Sequence, residues 1–183
     1  MSKSFVTLKQ LLGLYSPDNN AEKESKERIL TFLDHYPDAF ERSLEVGHIT
    51  ASCWLLNKNN THALLTHHRK LGMWIQLGGH CDGDRDVLSV AIKEAQEESG
   101  IIGIRPVTTT IFDIDVHENP ESKKEKAHYH YDIRFLLQVI SDEKIVVSDE
   151  SHALAWVTKN IQDLPSDNPS VVRMFNKWIN HPW

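Results

Sequence analysis

The segment Gly47–Leu56, GHITASCWLL, changes side with every residue, yet both of its faces are largely apolar. Ile49, Ala51, Cys53 and Leu55 line one face, and Thr50, Ser52, Trp54 and Leu56 line the other. A strand carries apolar side chains on both faces where its sheet is covered on both. That requirement points to a mixed α/β domain, and the rest of the chain supplies the cover. Leu8, Leu11, Leu12 and Tyr15 recur at helical spacing until Ser16-Pro17-Asp18-Asn19 interrupts them. Ile29, Leu30, Phe32 and Leu33 mark a second amphipathic helix ending before Pro37. The mixed charges of Glu22 to Arg28 read as its solvated face. A last helix is predicted from Pro169, packing through Val172, Phe175, Trp178 and Ile179.

Further strands follow from turns and alternation. Lys58-Asn59-Asn60-Thr61 has turn chemistry, and Ala63–Thr66 returns as a hairpin partner. Residues 107–116 read as a strand and residues 117–127 as a polar loop. His128–Val139 alternates most cleanly, with His128, His130, Asp132 and Arg134 on one face. Short strands are expected near residues 145–147 and 153–157. Residues 1–45 thus read as a helical N-terminal extension, and residues 46–183 as the domain it precedes.

At 183 residues the chain fits a prior of about 150 residues per domain. Its net charge of -6 argues against wrapping duplex nucleic acid, where many phosphates must be neutralised. No apolar run approaches the ~18 residues of a membrane span, and no signal peptide is read at the start. Two cysteines, Cys53 and Cys81, are too few for a disulfide framework and predict a cytoplasmic location.

The chemistry concentrates in Gly78–Ile101, GGHCDGDRDVLSVAIKEAQEESGI. Asp84 or Asp86 can cap a helix over Val87–Ser99, with Gly100 placed to end it. At about 100° per residue with Glu94 at zero, Glu94, Glu97 and Glu98 span roughly 300° through 40°. Val87, Val90 and Ala91 share that sector, so the acids extend an apolar stripe. The bland alternative is three surface glutamates on a solvated helix. Like charges at this spacing repel by a few tenths of a kcal/mol per pair, and a bound hard cation would reverse the sign.

Gly79 and Glu94-Ala95-Gln96-Glu97-Glu98-Ser99-Gly100-Ile101, at their separation, resemble the Nudix box of Nudix hydrolases. The Gly-Gly-His opening, Gly47-His48-Ile49-Thr50 and His128-Tyr129-His130-Tyr131-Asp132 are similar to pieces of one subgroup. Two positions depart from the signature. Arg85 stands where it has a Glu, and Lys93 stands where it has an Arg. In the family those two positions brace the loop against the helix, so here Lys93 would need Asp82, Asp84 or Asp86 as its partner.

The resemblance implies a Nudix-type α/β/α sandwich with a mixed sheet. It also implies a hydrolase cleaving a diphosphate linkage in a nucleoside diphosphate joined to another moiety, or a related compound. Mg²⁺ or Mn²⁺ would be held by Glu94, Glu97 and Glu98. Catalytic work is expected of Glu94, Glu98 and a distant-loop acid, for which Glu150 is the candidate. The expected partner is a small diphosphate compound; a homodimer stays open. The rival class is a sensor that keeps the fold and binds a nucleotide-like ligand without cleaving it. A third reading is a zinc hydrolase using His128 and His130, which suit either phosphate contact or a histidine metal site. His80-Cys81 matches no common zinc spacing. His67-His68-Arg69-Lys70 is a basic patch, and Trp54 and Trp74 could stack on a base or pack in the core.

Overall fold

The structure is a computed structural model that describes residues 6–121, 126–149 and 151–183. Its elements run α1 (Leu8–Leu14), α2 (Asn20–His35), β1 (Gly47–Leu56), β2 (His62–His68), β3 (Met73–Ile75), β4 (Leu77–His80), α3 (Val87–Ser99), β5 (Ile104–Pro106), β6 (Asp113–Asn119), β7 (His128–Val139), β8 (Ser151–Thr158) and α4 (Pro169–Ile179). The strands make a mixed sheet in the order β3-β2-β1-β7-β5, with β4 on β1, β6 on β7 and β8 on β2. Every residue of β1 is buried, as its two apolar faces require. The residues group into two compact units, one of Met1–Ala51, Gly79–Ala91 and Thr109–Phe135, the other of Ser52–Gly78, Ile92–Thr108 and Leu136–Trp183.

In the first unit, α1 opens on a capping box between Thr7 and Gln10. The Asn19 side chain caps α2 by accepting the Glu22 N–H at 3.0 Å. Lys23, Glu24, Glu27 and Arg28 are exposed as expected of a solvated face, but Glu22 departs from it and is fully buried. Its carboxylate accepts bonds from the Tyr15 hydroxyl, the Asp18 N–H and the Asn19 amide. A carboxylate can be buried when local donors replace its water, and the turn at Ser16–Asn19 supplies them. α2 packs on β6, and Phe32 stacks on Tyr131 with ring centroids 4.0 Å apart.

β6 runs antiparallel to β7, with Asp113 opposite Arg134 and Asn119 opposite His128. The strand expected at residues 107–116 is instead broken. Val107 donates to the Leu136 carbonyl at 2.9 Å, and Phe112 donates to the Arg134 carbonyl at 2.8 Å. Five steps along one chain face two along β7, so residues 108–111 leave the ladder. β6 then continues through His117–Asn119, which sequence patterning assigned to a loop. Gly47 is also constrained here. It sits at φ +147°, and a β-carbon on it would lie 2.4 Å from the Tyr129 carbonyl oxygen.

In the second unit, β2 pairs with β8 from His62–Thr158 to His68–Ser151. Its other register partners are β1 at Ala63 and Leu64 and β3 from Thr66 to His68. The Lys58–Thr61 turn closes the β1–β2 hairpin, and Asn57 holds it by accepting the Thr61 N–H at 2.8 Å. Residues 145–147 form no strand, and β8 is longer than the 153–157 expected. α4 starts at Pro169 behind the Asn168 cap. Trp178 is fully buried, 6.1 Å from Trp54 and edge-on to Phe175. Trp54 is therefore core. Among the described residues, no helix is long and apolar enough to cross a membrane.

The most heavily charged buried point is Arg134, 1% exposed. Its guanidinium donates to Asp132 at 2.7 Å and Asp113 at 3.0 Å, with Asp115 at 3.5 Å. Burial pulls its pKa down, but the three carboxylates more than offset that and the net shift is upward. Arg134→Leu should destabilise the protein by about 3–5 kcal/mol, because buried carboxylates lose their cation. Urea denaturation at neutral pH measures this; a loss under about 1 kcal/mol would refute the assigned role.

Candidate active site

Local chemistry sets both ends of α3. The Asp86 carboxylate accepts the Ser89 N–H at 3.1 Å and its hydroxyl at 2.7 Å, so Asp86 is the cap. Asp84 in turn accepts the Asp86 N–H at 2.9 Å. Gly100 ends the helix at φ +74°, where a β-carbon would meet the Val146 side chain at 2.7 Å.

The buried stripe of α3 runs Val87, Val90, Ala91, Ala95 and Glu98, with Glu94 half-buried beside it. Side-chain exposure is 15% for Glu94 and 59% for Glu97, and Glu98 is 5% exposed as a residue. Glu98 and, in part, Glu94 occupy the buried sector that the angular arithmetic predicts, whereas Glu97 departs from it and is exposed. The Gly78 N–H donates to Glu98 Oε2 at 3.3 Å, tying that carboxylate to the glycine pair. A hard divalent cation takes oxygen donors, and this set supplies three carboxylates within two turns.

The two departures from the signature are placed differently from the expected brace. Lys93 Nζ lies 3.7 Å from both Glu94 Oε1 and Glu97 Oε2, on its own helix, and among the described residues its ion pairs are with these two glutamates. The reason is spacing: neighbours at i+1 and i+4 are within reach of an exposed lysine. Arg85 donates to the Pro37 carbonyl at 2.9 Å and lies over the Phe40 ring. Glu150 lies outside the described residues. In the basic patch, Arg69 donates to the Ser151 carbonyl at 3.1 Å, and His67 stacks on Trp74.

A second cluster is made of histidines. His128 and His130, two apart on β7, face one way, and their Nε2 atoms are 3.1 Å apart. His48 from β1 packs with ring centroids 4.9 Å from His128 and 5.0 Å from His130. His80, at the end of β4, lies 4.9 Å from His48 and 5.3 Å from His130. His117 faces His130 across the β6–β7 register, and its Nδ1 is 3.0 Å from Asp115 Oδ2. Sequence reasoning singled out His128, His130 and His80. It left His48 as a piece of a family resemblance and His117 as loop. The period-two pattern Asp113, Asp115, His117 was the signal that β6 extends that far. Cys53 and Cys81 are both buried thiols.

His48 is 3% exposed, and neither buried ring nitrogen meets a partner at full hydrogen-bond geometry; the Leu44 backbone offers only a weak contact. Each such orphan costs about 1–3 kcal/mol. Burial first, then the imidazoles of His80 and His128, pushes the His48 pKa down to about 4. Burial, then His117, His80, His48 and His128, pushes His130 down to about 2.

An α/β fold with a mixed sheet, and a capped helix carrying three acids behind a glycine pair, define a class of phosphoanhydride hydrolases. Residues 46–175 match the NUDIX domain family, and the chain belongs to it. It is a hydrolase acting on diphosphate bonds. No match was found among curated proteins. Among solved structures, the chain is similar to an Ap4A hydrolase from C. elegans at 17% identity and TM-score 0.57, covering 72% of this chain and 94% of that one. It is similar to the E. coli dihydroneopterin triphosphate pyrophosphohydrolase at 13% identity and TM-score 0.53, covering 70% and 92%. A MutT protein from Methanosarcina mazei matches at 20% identity and TM-score 0.52, covering 74% and 95%.

The depressed histidines set a pH dependence. Both imidazoles are neutral in the folded state, so below the ordinary value of 6.5 unfolding takes up protons. Stability is fully present above pH 6.5 and falls as pH drops through about 4 for His48 and about 2 for His130. Each group contributes a slope of about 1.4 kcal/mol per pH unit in its window. In chelator-treated protein, His48→Gln with His130→Gln should flatten the fall in urea-derived stability between pH 6.5 and 4. Parallel curves for variant and wild type would show that these imidazoles are not held neutral.

Proposed function

We propose that this chain is a Mg²⁺- or Mn²⁺-dependent hydrolase of a nucleoside diphosphate linked to another moiety, or of a related diphosphate. The observation that supports this most is the placement of Glu98 on the buried stripe of α3, with Glu94 half-buried beside it and Glu97 exposed. Burying carboxylates together is unfavourable without a cation, and the oxygen-only donor set fits a hard divalent ion. Glu94, Glu97 and Glu98 would hold it. When bound, such an ion neutralises diphosphate oxygens and polarises phosphorus.

The protein's own part is water and proton handling. Glu94 accepts the proton of the attacking water as the water oxygen bonds to phosphorus and the bridging P–O bond breaks. Glu98, held by the Gly78 N–H, keeps its carboxylate in place through that step. Glu150 is the alternative acceptor. In this reading residues 1–45 are a helical extension and residues 46–183 the hydrolase domain, acting in the cytoplasm on a small-molecule substrate. Whether the chain works as a monomer or a homodimer is left open by this reading and is read by light scattering.

One observation favours a second reading, a sensor that binds without cleaving. Lys93 lies within ion-pair distance of Glu94 and Glu97, so a cation already offsets part of their charge. A panel of diphosphate compounds, assayed with and without Mg²⁺ or Mn²⁺, separates the two. Metal-dependent multiple turnover with two phosphorylated products, or phosphate, is expected. Saturable binding with no product over hours would overturn hydrolysis.

Two variants sharpen the assignment. Glu97→Gln with Glu98→Gln should abolish high-affinity Mn²⁺ binding while leaving metal-free thermal stability equal or slightly raised, since repulsion is relieved. Calorimetry with unchanged Mn²⁺ affinity would refute the ligand set. Glu94→Gln should lower kcat by about 10²–10⁴ with substrate binding largely retained.

A further inference from the structure

We propose that His48, His128 and His130 form a Zn²⁺ site, built from β1 and β7 and using none of the α3 carboxylates. One nitrogen from each ring lies within 4.8 Å of the others. Among the described residues, this is the group of potential metal ligands that meets such a spacing.

The donor atoms are prepared by their surroundings. His128 Nδ1 is 2.8 Å from the Lys126 carbonyl, which can only accept, so that nitrogen carries the proton. His128 Nε2 therefore presents a lone pair, and it faces His130 Nε2 at 3.1 Å. Two imidazole nitrogens at about 2.05 Å from one tetrahedral Zn²⁺ stand about 3.3 Å apart, so this pair needs little movement to share an ion. Asn119 Nδ2 also approaches His128 Nε2, at 3.3 Å, and would yield that lone pair to the metal. His48 contributes the third nitrogen from a ring that is buried and lacks a hydrogen-bond partner of full geometry at either nitrogen. A metal ion gives one of those nitrogens the partner it lacks.

His80 flanks both His48 and His130, with ring centroids 4.9 and 5.3 Å away. Asp115 Oδ2 lies 3.0 Å from the Nδ1 of His117, which faces His130 across the β6–β7 register. Nitrogen donors select zinc over magnesium, which requires oxygen. The two proposed metal sites therefore differ in donor chemistry as well as in residues.

The test uses untagged full-length protein, stripped with a chelator and dialysed. Zn²⁺ titration against a competing indicator should give one tight equivalent per chain, retained by the Glu97→Gln, Glu98→Gln variant. Co²⁺ substitution should give the intense visible absorption of a four-coordinate, nitrogen-rich site. His128→Ala with His130→Ala should weaken Zn²⁺ binding by more than the about 10–100-fold that losing one outer hydrogen bond costs. Circular dichroism reports whether that variant folds; if it does not, the Co²⁺ spectrum of the wild type decides. A weak six-coordinate Co²⁺ spectrum, no stoichiometric Zn²⁺, or Zn²⁺ affinity that survives the histidine change in a folded variant would overturn the proposal. So would Zn²⁺ binding that disappears in the glutamine variant.

Discussion

The buried cation of Arg134 is the constraint on which the first unit depends. It stands on β7, takes carboxylates from Asp113 and Asp115 on β6 and from Asp132 beside it, and is almost fully withdrawn from water. Asp132 also accepts the Thr50 hydroxyl at 2.9 Å, which carries the network to β1. An ion network with so many partners fixes register more sharply than apolar packing, because a slip by one residue would strand every charge. The strand that carries His128 and His130 is thus held by a lock only a few residues away.

That lock also explains what could and could not be read from the linear chain. The extent of α3 was legible, since a capping aspartate (Asp84 or Asp86 by sequence, Asp86 in the structure), Gly100 and the apolar stripe each obey local rules of capping and period. The two-sided burial of β1 and the alternation of β7 were legible for the same reason. Residues 108–111 were not, because their departure from the ladder depends on partners more than twenty residues away on β7. Glu22 misled for a related reason: its charge is satisfied by donors that assemble only once the turn before α2 forms.

The candidate site divides along the same line. Three glutamates at helical spacing are visible in any sequence, whereas five histidines scattered between positions 48 and 130 become a cluster only through strand pairing. The Lys93 pairing is intermediate. Its choice of Glu94 and Glu97 over a loop aspartate follows from helix geometry, but the family signature pulled the expectation the other way.

The division into two units has a spectroscopic consequence. All five tryptophans, Trp54, Trp74, Trp156, Trp178 and Trp183, belong to the second unit, and all four tyrosines, Tyr15, Tyr36, Tyr129 and Tyr131, belong to the first. Indole emission excited at the red edge therefore reports on one unit alone, while phenol absorbance at the blue side is confined to the other. The native chain carries two optical probes without labelling. Superimposable transitions from the two would show the units melting as a single cooperative body, and separated ones would resolve their individual stabilities.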